Sequence, residues 1–154
     1  MLVQDILALS VLIVASVTDL HKRVVPTWIY AGGFLAGAVL AVVNAIGLAS
    51  WFVLLDWICG VGLMTLVGWL LWKAKDWFGS GWGGGDTKLL IAVGSILGFT
   101  ASISYLTSMS IVGIVYAALC VIWKKFINPS VSKEQTTFPF VPAMALAEVL
   151  RRYV

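Results

Sequence analysis

Charge is what this chain has least of. Of its 154 residues 11% are charged and 61% are hydrophobic, with a mean hydropathy of +1.02. Soluble domains carry about 25% charged residues. The deficit excludes a soluble domain and marks an integral membrane protein built as one compact bundle. Cysteine is nearly as scarce. Cys59 and Cys120 each sit inside an apolar run with no CxxC pair, which speaks against a zinc site. Both are expected to be small buried residues. No run interleaves basic and aromatic residues as a nucleic-acid groove does. The net charge of +3 and pI of about 9.0 therefore report cytoplasmic loops rather than a nucleic-acid partner. The N-terminal stretch lacks a basic region and carries Asp5, unlike a signal peptide. Residues 2–18 are expected to form a retained first helix.

What is there is a series of apolar runs. The first ends at Asp19, before Lys22, Arg23 and Pro26, and the proline restricts Val25 to an extended conformation. A second, 28–48, carries no charge, and Gly32, Gly33 and Gly37 suit it to close helix packing. A third, 51–72, contains Asp56 near its start. From Leu89 to Trp123 there is no charge at all. That run is too long for one span of ~20 residues, but long enough for two short ones. The break is expected at 98–102, giving segments 86–99 and 102–123. The last run, 138–150, is short, begins near Pro139 and Pro142, and is followed by Arg151 and Arg152.

The expected fold is all-α, a polytopic helix bundle of about six transmembrane segments in a single domain. The loops after segments one, three and five hold Lys22 and Arg23, Lys73 and Lys75, and Lys124, Lys125 and Lys133; the other two hold no basic residue. The positive-inside rule then places the N-terminus outside. Trp28, Trp51, Trp72 and Trp123 fall at segment ends, where aromatic belts form. Arg151 and Arg152 oppose this topology, because six crossings would put them outside.

Glycines cluster in one place, Gly81-Trp82-Gly83-Gly84-Gly85-Asp86, just ahead of the apolar Leu89-Leu90-Ile91. Such backbone can approach another chain closely. Asp86 in a first helical turn lies where the dipole stabilises negative charge. Two crossings separate Asp86 from Asp19, so both fall on one membrane face, the cytoplasmic one by the charge rule. Two close carboxylates share a single proton. The ionised one can activate water and the protonated one polarise an amide carbonyl, with no metal or cofactor. Equally, each aspartate could cap its helix or pair with Lys22, Arg23 or Lys88.

These residues resemble a known family. Gly83-Gly84-Gly85-Asp86-Thr87-Lys88-Leu89-Leu90 is similar to the GxGD motif of the type IV prepilin peptidases. Asp19 followed by Lys22-Arg23-Val24-Val25-Pro26 resembles their first-aspartate motif, with Thr27 where many members have asparagine. Phe138-Pro139-Phe140-Val141-Pro142 resembles their closing motif. The resemblance implies an aspartic endopeptidase of the cell membrane. It would cut prepilins or pseudopilins after a glycine, between a basic leader and an apolar helix, at the cytoplasmic face. It implies Asp19 and Asp86 as the catalytic pair, with Gly83 and Gly85 carrying Asp86 to the scissile bond. Lys88 joins them as a substrate-binding candidate, in a substrate-end or lipid-headgroup role, since at i, i+2 it cannot face the same way as Asp86. Asp19 comes early in the chain and the cysteines lie elsewhere than in the bifunctional members, so peptidase activity without N-methylation is expected. The compact length resembles the peptidases of Tad/Flp-type pilus systems.

His21, the one histidine, reads as an interfacial loop residue, because the aspartates already supply acid and base. Asp56 falls on the opposite side and reads as structural or as lying near the outer interface. A rival of another class is a small proton-coupled transporter with Asp19 and Asp86 as a proton relay, for which an inverted repeat is wanted and not seen. A non-catalytic assembly subunit is the third reading.

Overall fold

The structure, a computed structural model, describes residues 2–22, 24–78, 84–126 and 140–151. Within them are five helices and no strand: α1 (Leu2–Lys22), α2 (Thr27–Gly47), α3 (Phe52–Phe78), α4 (Gly84–Phe126) and α5 (Val141–Leu150). Four stretches are long and apolar enough to cross a membrane: Val3–His21, Thr27–Gly47, Phe52–Ala74 and Gly84–Tyr116. In an apolar 18-residue window of the fourth 61% of residues are buried, against 17–22% in such windows of the other three. The central element is therefore α4, and the others surround it.

Helices run further than the apolar runs that signal them. The first helix continues past Asp19 to Lys22, and α3 continues past Trp72 to Phe78. A charged residue ends a membrane-compatible run without ending a helix, since Lys and Arg are good helix formers. What stops α1 is the approach to Pro26, after which α2 begins at Thr27.

The long charge-free run is indeed broken. Gly98 has φ 74 and ψ −175, non-helical values within α4. This conformation is open essentially to glycine alone, and the Asp56 carboxylate occupies the space a Cβ would need. Asp56 Oδ1 accepts hydrogen bonds from the Thr100 backbone N–H (3.3 Å) and hydroxyl (3.1 Å). One acid thus satisfies an orphan donor at the start of the second arm. Asp56 is structural in this sense.

The second arm folds back along the bundle. The C-terminal end of α5 is tied to the start of α1 by an ion pair between Arg151 and Asp5, and α5 packs along α1. Tyr105 donates to the Met144 carbonyl at 3.2 Å, and Gly113 lies beside the Phe140 ring. The order of these contacts makes α5 antiparallel to the second arm, so the two arms of α4 run in opposite directions. The break expected at 98–102 is therefore a reversal. The last expected segment, 138–150, appears as the ten-residue α5, shorter than a span; residues 138 and 139 lie outside the described ones. Pro142 sits in its first turn, the position proline tolerates best.

Small residues set the helix spacing. Gly33 packs between Val11 and Ala92, and Gly37 lies against the Ser95 backbone. Gly32, expected to act with them, has open space around it. Gly94 lies against Met64 and the Gly60 carbonyl. Polar side chains join the same seams: Trp57 Nε1 donates to Ser95 Oγ, which donates to the Phe34 carbonyl, both at 2.9 Å.

Two expectations change. Cys59 is exposed on α3 rather than buried. An apolar residue in a membrane helix is as compatible with lipid as with protein, so hydropathy alone does not choose its side. Arg151, which opposed the topology as a terminal charge, is buried beside Asp5 and Glu148. A charge neutralised inside the protein does not count in the loop-charge rule.

Candidate active site

Three seams fix which helix ends meet. Between α2 and α4, Tyr30 meets Lys88, Gly33 meets Ala92 and Gly37 meets Ser95, so the first arm of α4 runs parallel to α2. Between α3 and α4, Gly68 meets Thr87, Met64 meets Gly94 and Asp56 meets Thr100, so these are antiparallel. Val11, Gly33 and Ala92 mark one common level. From it Asp19 lies eight residues along α1, about 12 Å, and Asp86 six residues back along α4, about 9 Å. Both aspartates therefore stand at one end of the bundle, at nearly the same height. This site end gathers the C-terminal ends of α1 and α3 and the N-terminal ends of α2 and α4.

Helical phase decides where the two carboxylates face. On α1 the buried residues Ala8, Leu12 and Ala15 recur at the spacing of one helix face, and Asp19 is the next position of that stripe. On α4 Asp86 shares a face with buried Leu89, Leu90 and Val93. All six apolar residues belong to a single core cluster. Each aspartate thus ends an inward stripe, and both stripes converge on the same core. Both are partly buried. Asp86 is in the first turn of α4, as expected.

The neighbours of Asp86 fix the start of α4. Thr87 Oγ1 donates to the Gly68 carbonyl on α3 at 3.2 Å. A Cβ at Gly68 would come within 2.8 Å of Thr87 Cγ2. Gly68 and Thr87 therefore set how closely α3 approaches the residue next to Asp86. Neither residue stands out from sequence motifs, although a glycine among the bulky Val67, Trp69 and Leu70 is a visible signal.

The remaining candidates divide. Gly85 is in the first turn of α4, and a Cβ there would meet nothing within 4 Å; the same holds for Gly84. Packing inside the chain does not require glycine at either position. Lys88 turns away from the core towards α2, with Nζ 3.4 Å from the Tyr30 hydroxyl and 5.2 Å from that ring's centre. His21 is exposed at the same end. Gly83 lies outside the described residues. On α3, Lys73 lies over Trp69 and Trp72 at 6.0 and 5.7 Å from the ring centres, a pairing suited to a membrane interface.

Comparison with known proteins gives the family. A model of the type IV leader peptidase family matches residues 6–118, a stretch that contains Asp19, Gly83, Gly85, Asp86 and Lys88. The preflagellin peptidase of Methanococcus maripaludis (strain C6 / ATCC BAA-1332) is 31% identical over 86 residues. That alignment takes in 56% of this chain and 35% of the relative, so the chain spans about a third of the relative's length. The match runs through most of α1 to α4, the helices that carry both aspartates, and the chain belongs to the type IV leader peptidase family.

Proposed function

We propose that the protein is a prepilin-type leader peptidase, an aspartic endopeptidase with Asp19 and Asp86 as its catalytic pair. The observation that carries this reading is the convergence of two inward helix stripes, each ending in an aspartate at one end of the bundle. Family membership and the preflagellin peptidase relative support a substrate of the pilin type, prepilins or pseudopilins. The bond cut follows a glycine, between the basic leader and the apolar helix. The new N-terminus is released without methylation.

The chemistry follows from one shared proton. Two neighbouring carboxyls hold one proton between them. The ionised carboxylate takes a proton from a water molecule as the water oxygen attacks the amide carbon. The protonated carboxyl gives its proton to the carbonyl oxygen, and a tetrahedral intermediate forms. As the C–N bond breaks, the carboxyl gives its proton to the leaving nitrogen while the other carboxylate takes one from a hydroxyl of the intermediate, so the pair returns to its single-proton state. No metal or cofactor takes part in these steps.

Placement in the membrane follows from charge. Lys22 ends α1, Lys73 and Lys75 lie near the end of α3, and Lys88 lies in the second turn of α4. The second arm returns Lys124 and Lys125 towards the same end. The reading is that this basic end is cytoplasmic in the cell membrane, with the N-terminus outside and about six membrane segments, two of them the arms of α4 and the last the short α5. Gly85, in the first turn of α4, leaves space beside Asp86 for an extended scissile segment, and Gly83 joins it in this role through the shared motif.

The test is coexpression with a prepilin, followed on a gel. Asp19→Asn and Asp86→Asn each leave the prepilin at full length while the enzyme variant remains in the membrane. Gly85→Val does the same. Normal processing by both asparagine variants would remove the catalytic pair, and processing by Gly85→Val would remove the backbone role.

A further inference from the structure

We propose that the groove between α2 and the first arm of α4, with Lys88 at its mouth, is a binding site for one anionic phospholipid. The groove, of about 200 Å³, is lined by Tyr30, Ala31, Phe34, Lys88, Ile91 and Ala92. One end is polar and the rest is apolar. Lys88 Nζ stands 3.4 Å from the Tyr30 hydroxyl and over its ring. One helical turn deeper, Phe34 and Ile91 continue the walls, and Ala31 and Ala92 leave room between them.

The order of groups is that of a lipid lying along a helix pair. An ammonium and a phenol hydroxyl both donate to a phosphate, and charge-assisted bonds of this kind are the stronger ones. Tyr30 is one turn inside the Thr27–Gly47 span, the depth at which tyrosines meet headgroups. The apolar walls below then lie beside the first part of an acyl chain. Charge selects the occupant: a lysine at the mouth attracts an anionic headgroup and repels a basic leader peptide. Lys88 is two residues from Asp86, so a lipid held here also fixes the lipid-facing side of the helix turn that bears it.

This inference does not depend on the peptidase reading, and its test reads lipid rather than cleavage. The full chain, purified in detergent, is titrated with phosphatidylglycerol or phosphatidylcholine, and bound lipid is counted by native mass spectrometry. One phosphatidylglycerol is retained in preference to phosphatidylcholine. Lys88→Gln weakens its retention about tenfold, equivalent to about 1.4 kcal/mol. Ala31→Phe fills the groove, leaves the charge in place and also releases the lipid. Lys73→Gln, which removes an interfacial charge outside the groove, changes retention less than about twofold. Equal retention of both lipids overturns the proposal. So does a Lys73→Gln loss equal to that of Lys88→Gln, which would indicate general attraction to a basic surface. Unchanged lipid retention in Lys88→Gln also overturns it, whatever happens to leader binding. Tyr30→Phe, which keeps the ring and loses one donor, gives a smaller loss and guards against misfolding in the larger substitutions.

Discussion

The two ends of the bundle use carboxylates in opposite ways. At the far end Arg151 is buried with Glu148, and its guanidinium bonds both Glu148 oxygens, at 3.0 and 2.9 Å, as well as Asp5. Asp56 at that end caps the second arm of α4. These acids hold helices together: α1 to α5, and α3 to the reversal. At the site end Asp19 and Asp86 continue core stripes to the edge of the bundle and remain partly accessible. The glycines follow the same division. Gly98 is fixed by its positive φ and by Asp56 against it, whereas Gly84 and Gly85 have free space. The far end has its acids and its glycine packed against one another, and the site end sets two partly accessible aspartates beside glycines with space around them.

Substitutions can break this contrast or sharpen it. The largest stability effect belongs to the far end. Arg151→Leu leaves the buried Glu148 and the partly buried Asp5 without their shared cation and should cost about 3–5 kcal/mol. Thermal unfolding in detergent checks it. The triple change Asp5→Leu, Glu148→Met and Arg151→Met should recover most of the loss, because a well-packed apolar trio carries no desolvation penalty. Next comes Gly98→Ala, which forces a Cβ into a glycine-only conformation against Asp56. It should cost at least about 1–3 kcal/mol in the same assay. The smallest stability effect is at the other glycine. Gly85→Ala enters open space within a helix and should change stability little, or raise it by up to about 1 kcal/mol. Its prepilin cleavage should nevertheless fall. If Gly85→Ala is as destabilising as Gly98→Ala, the site-end glycines are structural and the contrast fails.

Much of the fold could be read from the residues because membrane helices are signalled by apolar run and charge. The reversal near Gly98 was legible for that reason: no single span uses so long a charge-free run, and glycine marked the break. That Asp19 and Asp86 share one end of the bundle was legible too, through crossing parity; that each continues an inward stripe needed the burial pattern of the structure. Other features were hidden because they depend on partners distant in sequence. Asp5 and Arg151 stand 146 positions apart, and nothing local to either indicates a buried pair. The exposed Cys59 was hidden because lipid and protein interior select the same residues. Helix ends were misjudged at Asp19 and Trp72, where polarity changed and helical propensity did not.

The central claim is that Asp19 and Asp86 act as one catalytic unit. The direct measurement is a double-mutant cycle on leader cleavage, with purified Asp19→Asn, Asp86→Asn and the combined variant acting on a prepilin peptide. The account predicts that each single change lowers kcat by at least about 10²–10⁴-fold. It also predicts that the double variant is no slower than the slower single one, since groups that act as a unit are strongly non-additive. Independent, multiplicative losses, or cleavage that survives either substitution, would contradict it.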